Sequence, residues 1–171
     1  MDFQELSSGT RMALLAGIGA ITSLFAGLIG GISLAGILGV ASSTAIIEYG
    51  AAAVAVGIGI PPLPAMGLVF FSGLTLILLL FAVLDTLAER SAVVRRLVER
   101  AQRRTRTIAW LQRYGPVALV PAVVVVGFYI CVPVAWFLGW RRYPSIAALS
   151  TGFLLATAGT TAISAGLHAA L

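Results

Sequence analysis

Apolar positions run through this chain in long blocks, and the interruptions between them divide it. Residues 12–47, 65–84, 114–140 and 145–171 are the four apolar blocks, and between Met12 and Leu84 the only charged side chain is Glu48. A helix that crosses the roughly 30 Å hydrocarbon core needs about 20 apolar residues at about 1.5 Å each. The pattern predicts a first transmembrane block over 12–47 and transmembrane helices over 65–84 and 145–171. One helix over the whole of 12–47 would be about 54 Å long, so this block tilts, breaks near Gly30–Gly31 or projects from the bilayer. The start, MDFQELSSGTR, is acidic, and the apolar run after it exceeds a signal h-region of about 7–15 residues. A short polar tail leading into a retained helix is expected.

Two segments do not read as plain spans. Residues 48–64, EYGAAAVAVGIGIPPLP, are short and carry Gly50, Gly57, Gly59, Pro61 and Pro62. Residues 114–140 carry Gly115, Pro116, Pro121, Gly127 and Pro133. Proline inside a helix removes a backbone donor and clashes with the preceding turn, so both segments are expected to re-enter the bilayer as broken helices. Such backbone needs shelter by protein or by a water-filled cavity. Residues 85–113 differ again. Leu87, Val94, Leu97, Val98, Ala101, Ile108 and Leu111 fall mainly on one helical face with Arg on the other, and Thr86 and Glu89 have capping-box spacing. An Arg-rich amphipathic helix on a membrane surface is expected there. The whole reads as a single membrane domain over 1–171: an all-α integral membrane protein with about three full transmembrane helices and two re-entrant helical hairpins.

Composition narrows the class. The chain is 60% hydrophobic and 10% charged, against roughly 25% charged in soluble domains, so a soluble fold is excluded. All 11 basic residues are Arg, and eight lie between Arg90 and Arg113. Basic loops favour the cytoplasmic side and anionic lipid headgroups. A multi-pass protein of the cell membrane is expected, with the N-terminus and 85–113 cytoplasmic and membrane lipids as partners. If Arg11, 85–113 and Arg141–Arg142 all lie inside, the chain crosses an even number of times between each pair. The 27 residues 114–140 are too few for two spans and must enter and return. The competing topology makes 114–140 a simple span and puts Arg141–Arg142 outside. Arg113, Arg141 and Arg142 then orient the chain or hold headgroups. No recognition motif accompanies the charge, so nucleic acid is not an expected partner.

Chemistry-bearing residues are few. The sequence has no paired carboxylates, Ser–His–Asp set, phosphate-cradling loop or metal-ligand cluster. An enzyme, a metal site and a cofactor are therefore not expected. Glu48 stands out because ionisable groups inside apolar segments are costly and often functional; Tyr49 and Tyr114 are its polar companions as candidate coupling or substrate residues. Gly19, Ser23, Gly27, Gly31, Ala35, Gly39 and Ser43 recur every fourth position. That stripe serves packing within the chain or the seam of a homo-oligomer. Tyr49–Gly50 and Tyr114–Gly115 open similar short runs, EYGAAAVAV and RYGPVALVP, which raises an inverted repeat of the kind that transporters use. Transport and a non-transporting scaffold that assembles through small-residue helices are the two functional classes left.

Glu48, the run Gly57-Ile58-Gly59-Ile60-Pro61-Pro62-Leu63, Gly73, the Arg-rich segment, Arg113-Tyr114-Gly115-Pro116 and Gly127 resemble the small multidrug export family. Through it the chain distantly resembles the DedA (VTT-domain) membrane proteins. The resemblance implies two opposed re-entrant hairpins and, by analogy with DedA proteins, a proton-coupled lipid-phosphate translocase; the function expected of this chain is proton-coupled movement of a lipid or of a hydrophobic or amphipathic small molecule. The chain departs from the DedA pattern in having no Arg between Tyr114 and Trp140.

Overall fold

The computed structural model describes residues 8–91, 96 and 114–170. Every regular element among them is helical, so the protein is an all-α membrane protein. The first helix, α1 (Ser8–Ile29), buries Met12, Ala16, Gly19, Ser23 and Gly27, a narrow stripe at spacings of three and four. Ile18, Ile21, Phe25 and Ile29 are exposed, as suits a helix surrounded by lipid. Gly31, at φ 69°, stops it: the N–H of Ile32 donates to Gly27 and that of Gly31 to Leu28, which satisfies the last carbonyls. The chain restarts at Ser33, whose hydroxyl accepts from the Gly36 N–H and caps α2 (Leu34–Ile47). The apolar block 12–47 is thus divided at Gly30–Gly31.

The small-residue stripe divides with it. A Cβ on Gly19 would lie 2.7 Å from Thr75 Oγ1, and one on Gly27 would lie 2.6 Å from Ile37 Cδ1. Gly31, Ala35 and Gly39 are exposed. The first half of the stripe therefore packs within the chain, and the second faces outward.

After α2 the chain bends through a 3-10 turn, Glu48–Gly50, into α3 (Ala51–Gly57), and α3 packs back against α2. With 14 residues, α2 is about 21 Å long. Neither arm of this hairpin reaches across a hydrocarbon core of about 30 Å. Gly59, at φ 88°, ends α3 with the same pair of bonds that ends α1, Ile60 to Ala55 and Gly59 to Val56.

Pro62, at the first helical position, opens α4 (Pro62–Arg90), where its missing N–H costs nothing. This helix runs past the expected end at Leu84. Thr86 donates its hydroxyl to the Ala82 carbonyl inside the continuous helix, so Thr86 and Glu89 form no capping box. Residues 92–95 and 97–113, the greater part of the expected amphipathic helix, lie outside the described residues.

Beyond them, Gly115–Ala118 form a 3-10 turn, followed by α5 (Leu119–Val126) and α6 (Phe128–Phe137). Gly127, at φ 88° and ψ 166°, turns the chain between α5 and α6, which contact each other. The last helix is α7 (Arg142–Ala170). Among the described residues, four stretches are long and apolar enough to cross a membrane: Gly9–Ile29, Leu34–Gly57, Pro62–Arg90 and Arg142–Leu167. Of these, Leu34–Gly57 contains the bend at Glu48. The protein is a multi-pass membrane protein.

The helices sort into two compact units. One comprises residues 16–76 and 153–171, with the α2–α3 hairpin. The other comprises residues 1–15 and 77–152, with α5 and α6. Each hairpin region shows the same local design. Gly139, at φ 68°, ends α6 through bonds from Trp140 to Ala135 and from Gly139 to Trp136, matching Gly59 residue for residue. Helices of 29 residues follow both turns. Buried Ala51, Ala52, Ala55, Ala65, Val69, Ser72, Gly73 and Ile77 correspond to buried Cys131, Val132, Ala135, Ser145, Leu149, Gly152, Phe153 and Thr157. These likenesses of turn bonding and burial pair residue 59 with 139, whereas the sequence likeness pairs Tyr49 with Tyr114.

Candidate functional sites: a strained carboxylate and a buried ion pair

At the bend between α2 and α3, Glu48 adopts φ 56° and ψ −126°. It is the one non-glycine residue with positive φ among the described residues. Side chains rarely enter that region, and holding one there costs of order 1–3 kcal/mol. The surroundings fix the conformation. The Glu48 N–H donates to the Thr44 carbonyl, closing α2, while the N–H of Ala51 reaches the carbonyls of Glu48 and Tyr49, opening α3. Thr44 is fully buried, with its hydroxyl bonded back to Val40 at 2.8 Å. A Cβ on Gly50 would come within 2.7 Å of Ile47 Cγ2, so a larger residue there would require Ile47 to shift. Glu48, Tyr49 and Gly50 are each half-buried. The turn therefore carries a carboxylate and a phenol at the tip of a hairpin whose other residues are uncharged.

The remaining sequence candidates sort by place. Gly57 ends α3, Gly59 supplies the positive φ after it, and exposed Pro61 and Pro62 lead into α4. These belong to the same unit as Glu48. Tyr114, Gly115, Pro116, Pro121, Gly127 and Pro133 belong to the other unit. Tyr114 is exposed there. Gly115 has φ 49° at the head of a 3-10 turn that takes Pro116 near its start, Pro121 sits in the first turn of α5, and Pro133 lies within α6. Arg113 lies outside the described residues, and Arg141 is exposed.

Arg142 is engaged elsewhere, in a cluster that the sequence reading did not single out. Asp85 is only 4% exposed. Arg142 grips its carboxylate bidentately, Nη1 to Oδ2 and Nη2 to Oδ1, the latter at 2.6 Å. The Trp136 indole Nε1 donates to Oδ1 at 2.8 Å. Helices α4, α6 and α7 meet at this carboxylate. The sequence held one signal. Ile77, Leu78, Phe81, Ala82 and Asp85 follow a helical spacing, and all are buried, so Asp85 continues the inner stripe of α4. Nothing before the Arg run stops that helix. Among the described residues no group of three His, Cys, Asp or Glu side chains could hold a metal ion.

Residues 48–158 match the family described as "Putative small multi-drug export protein". That span begins at the strained Glu48 and includes the α3 hairpin arm, both glycine-capped turns, Asp85, Trp136 and Arg142. The likeness to DedA proteins rests on the sequence motifs already given, and the match does not bear on it. No curated protein and no solved structure matches the chain significantly.

Proposed function

The chain belongs to the small multi-drug export protein family, and on that footing we propose that it exports a hydrophobic or amphipathic molecule in exchange for protons, with Glu48 as the coupling residue. The observation that carries this reading is the backbone of Glu48. A glycine would hold φ 56° without strain, yet a carboxylate stands there. Strain of this kind is kept where the side chain is needed. A carboxylate at a sheltered bend can hold a proton, release it to one side and attract a cation in its place. Alternatively, protonation can bias two arrangements of the hairpin. Tyr49, half-buried beside it, supplies a hydroxyl to the same turn.

The topology belongs to the same proposal. Arg11, the Arg-rich segment 85–113 and Arg141–Arg142 face the cytoplasm, where anionic headgroups attract them. The Glu48 hairpin then enters the bilayer from outside and residues 114–140 enter from inside. Purified protein in liposomes with an imposed pH gradient tests the function, with fluorescent lipid scrambling and cationic dye movement followed separately. Wild-type protein is expected to move at least one of them in proportion to the gradient, and Glu48→Gln to move neither while retaining its helicity. Equal rates from the two proteins would remove Glu48 from the mechanism. Movement of neither substrate by wild type would favour a scaffold.

A further inference from the structure

Within the unit formed by residues 16–76 and 153–171 lies a cavity of about 290 Å³, walled by α1, α2 and α4. Close packing frames it. Gly19 meets Thr75 at one level of α1, and Gly27 meets Ile37 two turns further along. Between those contacts Ala20, Ser23, Ala41 and Ser72 are too small to fill the space, and the hollow remains.

The wall decides what fits. Its hydroxyls are engaged within the protein: Ser23 and Ser72 share a hydrogen bond of 2.9 Å, and Thr75 donates to the Phe71 carbonyl at 2.8 Å. Among the described residues, no charged side chain lines it. A cation or anion would be desolvated there without compensation, whereas an uncharged hydrocarbon group meets only aliphatic contacts and satisfied hydroxyls. An apolar cavity of about 150 Å³ accepts a benzene ring, so the larger volume here accommodates a fused pair of rings or a branched alkyl group. The rim residues Leu24 and Leu38 are 38% and 58% exposed. In a membrane protein, exposed aliphatic side chains such as these face acyl chains, so the opening is toward the lipid.

We propose that this cavity is the binding site for the uncharged hydrophobic body of an amphipathic ligand, which enters sideways from the bilayer. As a transport step the inference rests on the export reading. As a binding site it stands apart from it. The ligand chemistry is a hydrocarbon body, from either a small organic cation or a lipid chain.

Photolabelling with a neutral adamantyl diazirine tests the site on the intact protein in detergent, with labelled peptides mapped by mass spectrometry. Label is expected to concentrate on residues 20–24, 37–41 and 72–76. It should be lost from all three in Ala41→Trp, whose indole occupies the hollow. Tetraphenylphosphonium and a short-chain phosphatidylcholine, added separately to wild-type protein, tell the two ligand sources apart: displacement by the first assigns a small cation, by the second a lipid chain. Either displacement supports the site without relying on the variant's folding. Label spread evenly over the exposed helix faces and indifferent to both competitors would overturn it. Concentrated, displaceable label alongside no transport by wild type would leave the site standing and refute the export reading.

Discussion

Removing either member of the Asp85–Arg142 pair breaks the same ion pair, yet the two losses are expected to differ, because the partners are unequally buried. Arg142 is 34% exposed and Asp85 4%. In Arg142→Gln the carboxylate keeps the Trp136 N–H but loses its bidentate cation and stays shielded from water. Breaking a buried pair in this way costs about 3–5 kcal/mol. In Asp85→Asn the guanidinium is already a third exposed and is readily hydrated, so the loss falls to about 1–2 kcal/mol. A cation at the first residue of α7 also opposes the positive end of that helix, a penalty of a few tenths of a kcal/mol that Asp85 offsets in the native protein. The difference of about 2 kcal/mol corresponds to more than tenfold in the unfolding equilibrium. In Asp85→Leu/Arg142→Met no charge is left buried, and most of the loss should be recovered. Equilibrium unfolding in mixed detergent–SDS micelles gives the numbers, with alkylation of Cys131 as the readout. This thiol is buried in α6 of the same unit and reacts only when that unit opens. Equal destabilisation by the two single variants, or a double variant as unstable as Arg142→Gln, would refute the reasoning.

Three further outcomes are expected. Gly152→Ala places a Cβ 2.6 Å from the Val120 carbonyl oxygen, so backbone must move, at about 1–3 kcal/mol, whereas Gly17→Ala meets nothing within 4 Å and is tolerated; thermal unfolding in detergent compares them. Glu48→Gly relieves the positive φ and should raise stability by about 1 kcal/mol while abolishing pH-driven transport; a loss of stability would contradict the strain argument. On a Cys131→Ala background, cysteines at positions 90 and 141 should react with an impermeant maleimide only from the cytoplasmic side, and labelling of position 141 only from outside would discard the re-entrant reading of 114–140.

How much of this was legible in the sequence depends on the kind of signal. The apolar blocks follow from run length alone, because the bilayer sets a length that the chain must meet. The length of block 12–47 left tilt, projection and a break near Gly30–Gly31 open, and the chain breaks there because glycine supplies a positive φ that ends a helix cleanly, as at Gly31 and Gly59. The bend at Glu48 was legible as a lone acid, and its strain was not, since φ is a property of the fold. Asp85 was missed because an acid directly after an apolar run reads as the start of a polar segment. Only the continuation of α4 reveals that it closes the inner stripe and meets Arg142 from a helix far along the chain. The sequence likeness and the local structural likeness fall in different registers. Tyr49–Gly50 and Tyr114–Gly115 are matching dipeptides with different roles, one at a hairpin tip and the other before α5. The structural match of Gly59 with Gly139 lies among side chains that share burial more than identity.

If Glu48 exchanges a proton for substrate, stoichiometric proton release measures that exchange most directly. Purified protein in weakly buffered detergent, with a pH-indicator dye present, is mixed with saturating tetraphenylphosphonium. Wild-type protein should release up to about one proton per chain, with an amplitude that vanishes at acid and at alkaline extremes, and Glu48→Gln should bind the cation without releasing any. Proton release of equal size from the Gln variant, or cation binding by wild type with no release at any pH, would contradict the account.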